Sequence, residues 1–175
     1  LIVVRCTHGI DLRTVGSVNT GATNVKRVAG NKWAALVLAL DFLKGFVPVL
    51  LAEQLFPGSW LGAIVALVAV LAHSKSVYIR FAGGKSAATG LGCFFALAPI
   101  SVALLVAVIA FAVMKITRYV SVGSITAAIV APVLLYVFNA SGSALAFTLI
   151  AGVYVIALHK PNIQRLLSGT ENRLT

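Results

Sequence analysis

Three polar, glycine-rich segments interrupt an otherwise apolar chain, and their side chains have the chemistry to hold phosphate groups. They read GSVNTGATNVKR (16–27), HSKSVYIRFAGGKSAATG (73–90) and HKPNIQRLLSGTEN (159–172). Ser, Thr, Asn, Lys, Arg and His side chains bind phosphate oxygens, and glycines let backbone N–H groups approach a ligand. Each segment alone could be a solvated basic loop at a bilayer surface. Three of them on one side of a membrane would favour a shared anion site.

The familiar catalytic templates are absent from the sequence. A P-loop would need glycine six residues before Lys85, where Ile79 stands, and neither GxSxG nor HExxH occurs. The residue five positions after each histidine is Arg13, Tyr78 or Gln164, so the His-x4-Asp dyad of a large acyltransferase class is missing. With only 4 acidic residues and scattered histidines, we expect no metal, no cofactor and no strong protein base. A reaction with a good leaving group, assisted by positioning and by cations, fits this composition.

The elements that must position these residues are membrane helices. The 175 residues are 60% hydrophobic with a mean hydropathy of +1.03, and the apolar runs are continuous rather than alternating. We therefore predict an all-α membrane protein with a single domain over residues 1–175. The candidate spans are Ala34–Ala52, Trp60–Ala72, Ala87–Ala98, Ile100–Met114, Val122–Phe138 and Ala144–Leu158. The opening LIVV is interpreted as the end of a truncated first span, which makes a bundle of seven transmembrane helices.

The basic residues are segregated between the two ends of this predicted bundle. Of the 14 Lys and Arg residues, 13 fall in alternate connections and in the C-terminal tail, together with all three polar segments. By the positive-inside rule this side is cytoplasmic. The rule also accounts for the net charge of +10 without any nucleic acid partner, and an attraction to anionic lipid headgroups is compatible with it.

The remaining cation, Lys44, lies within a predicted span. It follows Asp41 by three residues, so both side chains lie on one helix face and are expected to pair. The pair could serve function or could neutralise a packed helix, and we assign it to structural support. Cys6 and Cys93 are interpreted as small apolar fillers.

Over essentially its whole length the chain resembles the bacterial membrane-bound acyl-phosphate:glycerol-3-phosphate acyltransferase family. The resemblance rests on GSVNTGATNVKR, DFLKG, FAGGKSAATGLG and HKPNIQRLLSGTEN, in that order and at that spacing. It implies seven spans in a bacterial inner membrane, with three cytoplasmic motifs. It also implies transfer of a fatty acyl group from acyl phosphate to carbon 1 of glycerol 3-phosphate, with 1-acyl-glycerol 3-phosphate and phosphate as products.

The resemblance also implies site residues in each motif. Two cation clusters are the minimum for two phosphate-bearing substrates, and Arg27 and Lys85 are assigned to phosphate and to the leaving-group charge. Ser17, His159 and Asn162 would orient the attacking hydroxyl or the scissile carbonyl, and a substrate phosphate would take the proton. The other residues that match the motifs, assigned to substrate and phosphate binding, are Asn19, Gly21, Thr23, Asn24, Gly83, Gly84, Thr89, Arg165, Gly169 and Glu171.

The first motif departs from the family's usual Ser-Gly-Asn-Pro-Gly, because Val18 and Thr20 replace the glycine and the proline. Val18 does not favour positive φ and Thr20 does not fix φ, so this loop is expected to differ in conformation. His73 could be a site residue or a helix-end cap.

Other function classes remain open from the residues alone. A transporter of a phosphorylated metabolite would also gather basic loops, although the opposite loops carry no cation. An acyl-CoA-dependent acyltransferase would differ only in its donor. We expect a monomer, with acyl chains entering sideways from the bilayer.

Overall fold

The computed structural model describes residues 1–140 and 142–174, and within these ranges the chain is helical with no strand. The helices are α1 (Ile2–His8), α2 (Ala22–Ala29), α3 (Asn31–Leu55), α4 (Leu61–Ser74), α5 (Ala87–Leu97), α6 (Ile100–Thr117), α7 (Val120–Val137), α8 (Gly142–Leu158) and α9 (Lys160–Leu167). A short 3₁₀ turn, Val77–Ile79, follows α4. The all-helical prediction is confirmed, and each of the six apolar segments corresponds to one helix from α3 to α8.

Helix length and composition decide which of these helices can cross a bilayer on their own. Among the described residues, four segments are long and apolar enough to span a membrane: Asn31–Leu55, Leu61–Ile79, Ile100–Thr117 and Val120–Val137. The second of them is α4 together with the 3₁₀ turn that follows it. Helices α8 and α9 pass together as one span bent by 55°, whereas α5 is shorter than a bilayer requires. The structure thus has four to five spanning elements by these criteria, against the seven expected, and α1 is a single short helix.

The bundle exposes apolar side chains outward, as lipid-facing helices do. Leu51, Val68, Val108 and Val153 are each at least half exposed, on four different helices. The interior is built mainly from small residues and valines, so the helices pack closely.

Helices α2 and α9 differ from the spans because they are short and amphipathic. Val25 of α2 is fully buried against Val4, Leu12 and Val37, in a small core separate from that of the bundle. This core holds the first polar segment against the start of α3. Helix α9 begins after the bend at His159 and carries Asn162 and Arg165. Both helices lie at the end of the bundle where α4 ends and α5 begins.

Candidate active site

A cavity of about 670 Å³ joins all three polar segments to the interior of the bundle. Its apolar wall comes from α5, α6, α7 and α8. On α7 the lining runs from Val120 to Ala131, which at 1.5 Å per residue is about 17 Å along the helix. The cavity therefore has a polar end formed by the motifs and a long apolar extension between helices.

Most of the predicted site residues lie together in the wall of this cavity. The wall includes Ser17, Asn19, Gly21, Thr23, Asn24, Arg27, Lys85, His159, Asn162, Arg165 and Glu171. Gly83, Gly84, Thr89 and Gly169 are not part of it. The three segments are far apart in the chain, so only the packing of the helices brings them to one place.

A hydrogen-bonded network links the second segment to the third. The Lys85 Nζ donates to Asn162 Oδ1. The other end of the same amide donates to Glu171, with Nδ2 2.6 Å from Oε1. Because both ends of the Asn162 amide are engaged, its orientation and the position of the Lys85 ammonium are held together.

Glu171 accepts several hydrogen bonds in this network. Its carboxylate also accepts from Arg165 Nε at 2.7 Å and from Ser121 Oγ at 2.8 Å, and its side chain is 6% exposed. Burial by itself would raise the pKa of Glu171, but the hydrogen bonds from Asn162, Ser121 and Arg165 outweigh burial and the pKa is lowered. A carboxylate repels phosphate, so the geometry favours a positioning role for Glu171 over the phosphate-binding role expected from the sequence.

Lys85 has an unusual electrostatic environment. Burial lowers the pKa of its ammonium to about 8, Arg165 and Arg27 lower it as well, and Glu171 opposes them. Lys85 thus remains largely protonated at neutral pH while lying close to other cations. Such an arrangement of crowded positive charge is suited to a dianionic ligand, which would relieve the repulsion.

His159 lies at the bend between α8 and α9 and is 3% exposed. Its Nδ1 is 2.8 Å from the Val155 carbonyl oxygen. Because a carbonyl only accepts, we assign the proton to Nδ1, and Nε2 is then an acceptor in the neutral ring. A hydroxyl in the cavity could donate to this nitrogen.

Asn24 organises the first segment from within. It is 1% exposed, its Oδ1 accepts from the Ser17 N–H at 2.9 Å, and its Nδ2 donates to the carbonyls of Leu12 and Val15. The loop ahead of α2 is therefore closed around this side chain. Asn24 determines where Ser17 lies, whereas Thr23 and Arg27 extend from the helix itself into the cavity wall.

Val18 adopts a left-handed conformation, with φ of +58°. The sequence expectation that valine would avoid positive φ at this position is wrong. β-branched residues seldom adopt this conformation because Cβ crowds the backbone. Val18 follows Ser17, whose N–H donates to Asn24, and its own side chain remains 61% exposed.

The four predicted residues outside the wall have identifiable positions. A Cβ at Gly83 would overlap the carbonyls of His73 and Ser74, and one at Gly84 would overlap the His73 ring, so both glycines permit close approach to the end of α4. Thr89 is fully buried on α5, where its carbonyl faces Gly45 of α3. Gly169, with φ of +71°, turns the chain after α9 toward Glu171. Their positions favour structural roles over ligand contact.

The sequence interpretation missed some residues of the site. Ser121 precedes the apolar segment Val122–Phe138 and was assigned no role, because no local signal distinguishes it. Asp41 pairs with Lys44 as predicted, with Oδ1 and Nζ 2.5 Å apart. Asp41 also lies 3.6 Å from His73 Nδ1, and both line the cavity. Within the described ranges no group of three or more His, Cys, Asp or Glu side chains could hold a metal ion.

Comparison with known proteins decides the family. A family model described as glycerol-3-phosphate acyltransferase matches residues 1–169. The chain belongs to this acyltransferase family. Relatives named glycerol-3-phosphate acyltransferase include one from Aquifex aeolicus, 44% identical over 98% of this chain and 89% of its own length. Another, from Syntrophotalea carbinolica, is 45% identical over 99% of this chain and 88% of its own length.

Two solved structures of an acyltransferase of this family are similar to the chain. Both are crystal structures of PlsY, an integral membrane glycerol 3-phosphate acyltransferase, and both are 43% identical to it. The glycerol 3-phosphate form has a TM-score of 0.94 and covers 99% of this chain and 86% of its own. The lysophosphatidic acid form has a TM-score of 0.87 and covers 91% and 82%. Together with its apolar helices, this likeness makes the chain a multi-pass membrane protein.

Proposed function

We propose that this acyltransferase moves a fatty acyl group from acyl phosphate to the 1-hydroxyl of glycerol 3-phosphate. A new ester bond forms between the acyl carbon and the C1 oxygen, and the bond from the acyl carbon to the phosphate oxygen breaks. The hydroxyl proton goes to the departing phosphate. The products are 1-acyl-glycerol 3-phosphate and inorganic phosphate.

The observation that carries this proposal is the two-part cavity. Its polar end gathers Arg27, Lys85 and Arg165, whose positive charges attract phosphate groups. Its apolar extension of about 17 Å is of a length and chemistry that suit an acyl chain. A reaction between a lipid-borne donor and a water-soluble phosphate ester needs both parts.

The donor is inferred from the carboxylates of the wall, because neither of the two is available as a strong base. Of the carboxylates in the wall, Asp41 is paired with Lys44 and Glu171 accepts hydrogen bonds from three side chains. Phosphate is a good leaving group and can itself accept a proton, so transfer from an acyl phosphate needs no strong base from the protein.

The residues then have distinct roles. Arg27 and Lys85 hold phosphate and stabilise the charge that builds on the leaving group. Ser17, His159 and Asn162 orient the attacking hydroxyl or the scissile carbonyl. The neighbouring positions Asn19, Gly21, Thr23 and Arg165 complete the phosphate environment. The enzyme works as a monomer with this end of the bundle in the cytoplasm of a bacterial cell.

The decisive experiment supplies purified protein in lipid with glycerol 3-phosphate and either palmitoyl phosphate or palmitoyl-CoA, and follows lysophosphatidate and phosphate. We expect product from palmitoyl phosphate alone. Product from palmitoyl-CoA alone would contradict the donor, and product from neither would contradict the reaction.

The position of transfer is tested with two acceptor analogues. 3-Hydroxypropyl phosphate retains the primary hydroxyl that corresponds to carbon 1, whereas 2-hydroxypropyl phosphate retains only the secondary one. We expect the first analogue to be acylated and the second to be inert. The reverse result would place the transfer at carbon 2.

The orientation is tested by accessibility of one cysteine. In a Lys160→Cys variant with Cys6→Ser, a membrane-impermeant thiol reagent should label inverted membrane vesicles and spare intact spheroplasts. Lys160 is exposed at the start of α9, so the reagent can reach it without unfolding the protein. Labelling of the spheroplasts instead would place the motifs outside the cell.

A further inference from the structure

A second, smaller cavity of about 370 Å³ lies beside the catalytic one. It is enclosed by α2, by the first residue of α7 and by the C-terminal tail. The lining residues are Thr23, Lys26, Arg27, Val120, Asn172, Arg173 and Leu174. Its volume is at the lower end of the range of small-molecule sites, which is large enough for a phosphate group with part of an attached molecule.

The charged side chains among the described residues of this cavity are all basic. Lys26, Arg27 and Arg173 contribute three cations, and none of the described residues that line it is acidic. Glu171, next to Asn172 in the chain, does not line it and is occupied with Asn162, Ser121 and Arg165. Three basic side chains around one small cavity can bind a phosphate group together, because its oxygens accept several charge-assisted hydrogen bonds.

Contacts of the tail hold Arg173 at this cavity. Its Nε donates to the Tyr119 hydroxyl at 3.2 Å, and its guanidinium carbon lies 5.7 Å from the Tyr119 ring centre. The next residue, Leu174, donates its N–H to the Arg118 carbonyl at 2.7 Å. The hydrogen bond to Tyr119 uses one of the five N–H donors of the guanidinium, which has further donors to offer a ligand.

Helix α7 adds a partial positive charge at the same place. Tyr119 is its N-cap and makes no side-chain capping bond, and Val120, the first helical residue, lines the cavity. The N–H groups of a first helical turn lack intrahelical partners and attract anions. This contribution supplements the three side-chain cations.

The two cavities share part of their walls. Thr23, Arg27, Val120 and Asn172 line both. The smaller cavity therefore adjoins the polar end of the catalytic one.

We propose that Lys26 and Arg173 form a second phosphate-binding site beside the catalytic cavity. Its ligand is a phosphate group, either on a free anion such as inorganic phosphate or on a lipid headgroup. Its use by the phosphates of the reaction rests on the proposed function, whereas the binding itself does not.

The test is equilibrium dialysis with radiolabelled inorganic phosphate, on protein in phosphatidylcholine nanodiscs. The double variant Lys26→Gln, Arg173→Gln should bind one equivalent fewer than the wild type. The matched control is Lys75→Gln, Lys160→Gln, which removes two exposed cations that line neither cavity, and it should bind as the wild type does. Equal stoichiometry in all three proteins would overturn the proposal.

Two further arms keep the result interpretable. Lys85→Ala, which alters only the catalytic cavity, should retain the equivalent that the double variant loses. If the double variant loses all phosphate binding, the two single variants decide the outcome. Lys26→Gln and Arg173→Gln alone should each weaken phosphate binding at the proposed site at least fivefold and leave phosphate binding in the catalytic cavity intact. No weakening in either variant would overturn the site.

The source of the phosphate is distinguished by adding phosphatidic acid to the nanodiscs. Displacement of the second equivalent would assign the site to the lipid headgroup, and retention would assign it to the free anion. Either result supports a phosphate site.

Acyl transfer measured on the same samples separates this proposal from the proposed function. If the double variant binds one phosphate fewer and the wild type shows no acyl transfer, the second site is upheld and the proposed reaction is contradicted. If the wild type transfers acyl groups and the double variant binds as much phosphate as the wild type, the reaction is upheld and the second site is contradicted.

Discussion

Asp41 and Glu171 are both carboxylates in the wall of one cavity, but they are neutralised in different ways. Asp41 pairs with Lys44, one turn further along the same helix, and His73 lies nearby. Glu171 accepts hydrogen bonds from Ser121 in α7 and from Asn162 and Arg165 in α9. The first cluster neutralises charge locally inside a span, whereas the second connects separate parts of the chain.

The difference indicates which cluster sets the geometry of the reaction. Removing Lys44 or Asp41 affects their pair and the neighbouring His73 of α4, but none of the hydrogen bonds of the Glu171 cluster. Removing a member of the Glu171 cluster frees Asn162, and with it the Lys85 ammonium that donates to the same amide. The following predictions test this contrast, beginning with the largest expected effect.

Lys85→Ala and Arg27→Ala should each reduce kcat/KM for acyl transfer by about 10²–10³-fold, because each removes a cation that the proposed mechanism assigns to the leaving-group charge. Lys44→Gln is the matched control, since Lys44 is a cation of the other cluster, and it should stay within about threefold of the wild type on the same principle. Steady-state kinetics in lipid measure the effect. A comparable loss in Lys44→Gln would abolish the distinction between the clusters.

Glu171→Gln should lower the free energy of unfolding by about 1.5–3 kcal/mol, because a charged acceptor of three hydrogen bonds becomes neutral. Asp41→Asn should cost about 0–1 kcal/mol, as expected for a single partly exposed pair. Thermal unfolding in detergent measures both. Glu171→Gln should also lower kcat, since Asn162 and Lys85 lose their fixed positions, and an unchanged kcat would argue against that role.

The pH dependence should report on Lys85. Its pKa of about 8 in the folded protein, against the ordinary 10.5, predicts that kcat/KM falls as pH rises above 8 and the ammonium is lost. The contribution of Lys85 to the free energy of unfolding should instead rise over this pH range. Between pH 8 and 10.5 the unfolded chain binds more protons at this group than the folded one does, so the group makes stability rise with pH.

An arginine in place of Lys85 separates this interpretation from other titrations. Arginine stays protonated throughout the range, so the residual activity of Lys85→Arg should not decline above pH 8. A pH–rate profile of both proteins measures this, and a decline shared by both would assign the titration to another group.

The smallest effect is expected at the first loop. Val18→Gly should raise the free energy of unfolding by about 0.5–1 kcal/mol, because glycine tolerates the positive φ, although its greater freedom in the unfolded chain offsets part of the gain. Val18→Ala keeps a Cβ and should gain less. Unfolding of the three proteins under one condition measures the difference, and destabilisation by glycine would show that Val18 is not strained.

Much of this organisation could be predicted from local features. Continuous apolar runs predict helices α3 to α8, and the spacing of Asp41 and Lys44 predicts their pair. The motif residues that line the cavity could be named, although their separate roles could not. Asn24 and Glu171 illustrate this limit, because both were assigned to ligand binding and both are hydrogen-bonded mainly to the protein.

The sequence by itself determined the membrane class, the helical segments and the segregation of basic residues, because hydropathy and helical spacing act over a few turns of one chain. Tertiary structure alone decided that Lys85 meets Asn162, 77 residues away, and that Ser121 meets Glu171, 50 residues away. It also decided that Thr89 faces a neighbouring helix and that a second basic cavity adjoins the first. Such contacts depend on the crossing and rotation of whole helices, which are set by packing across the bundle and leave no local pattern.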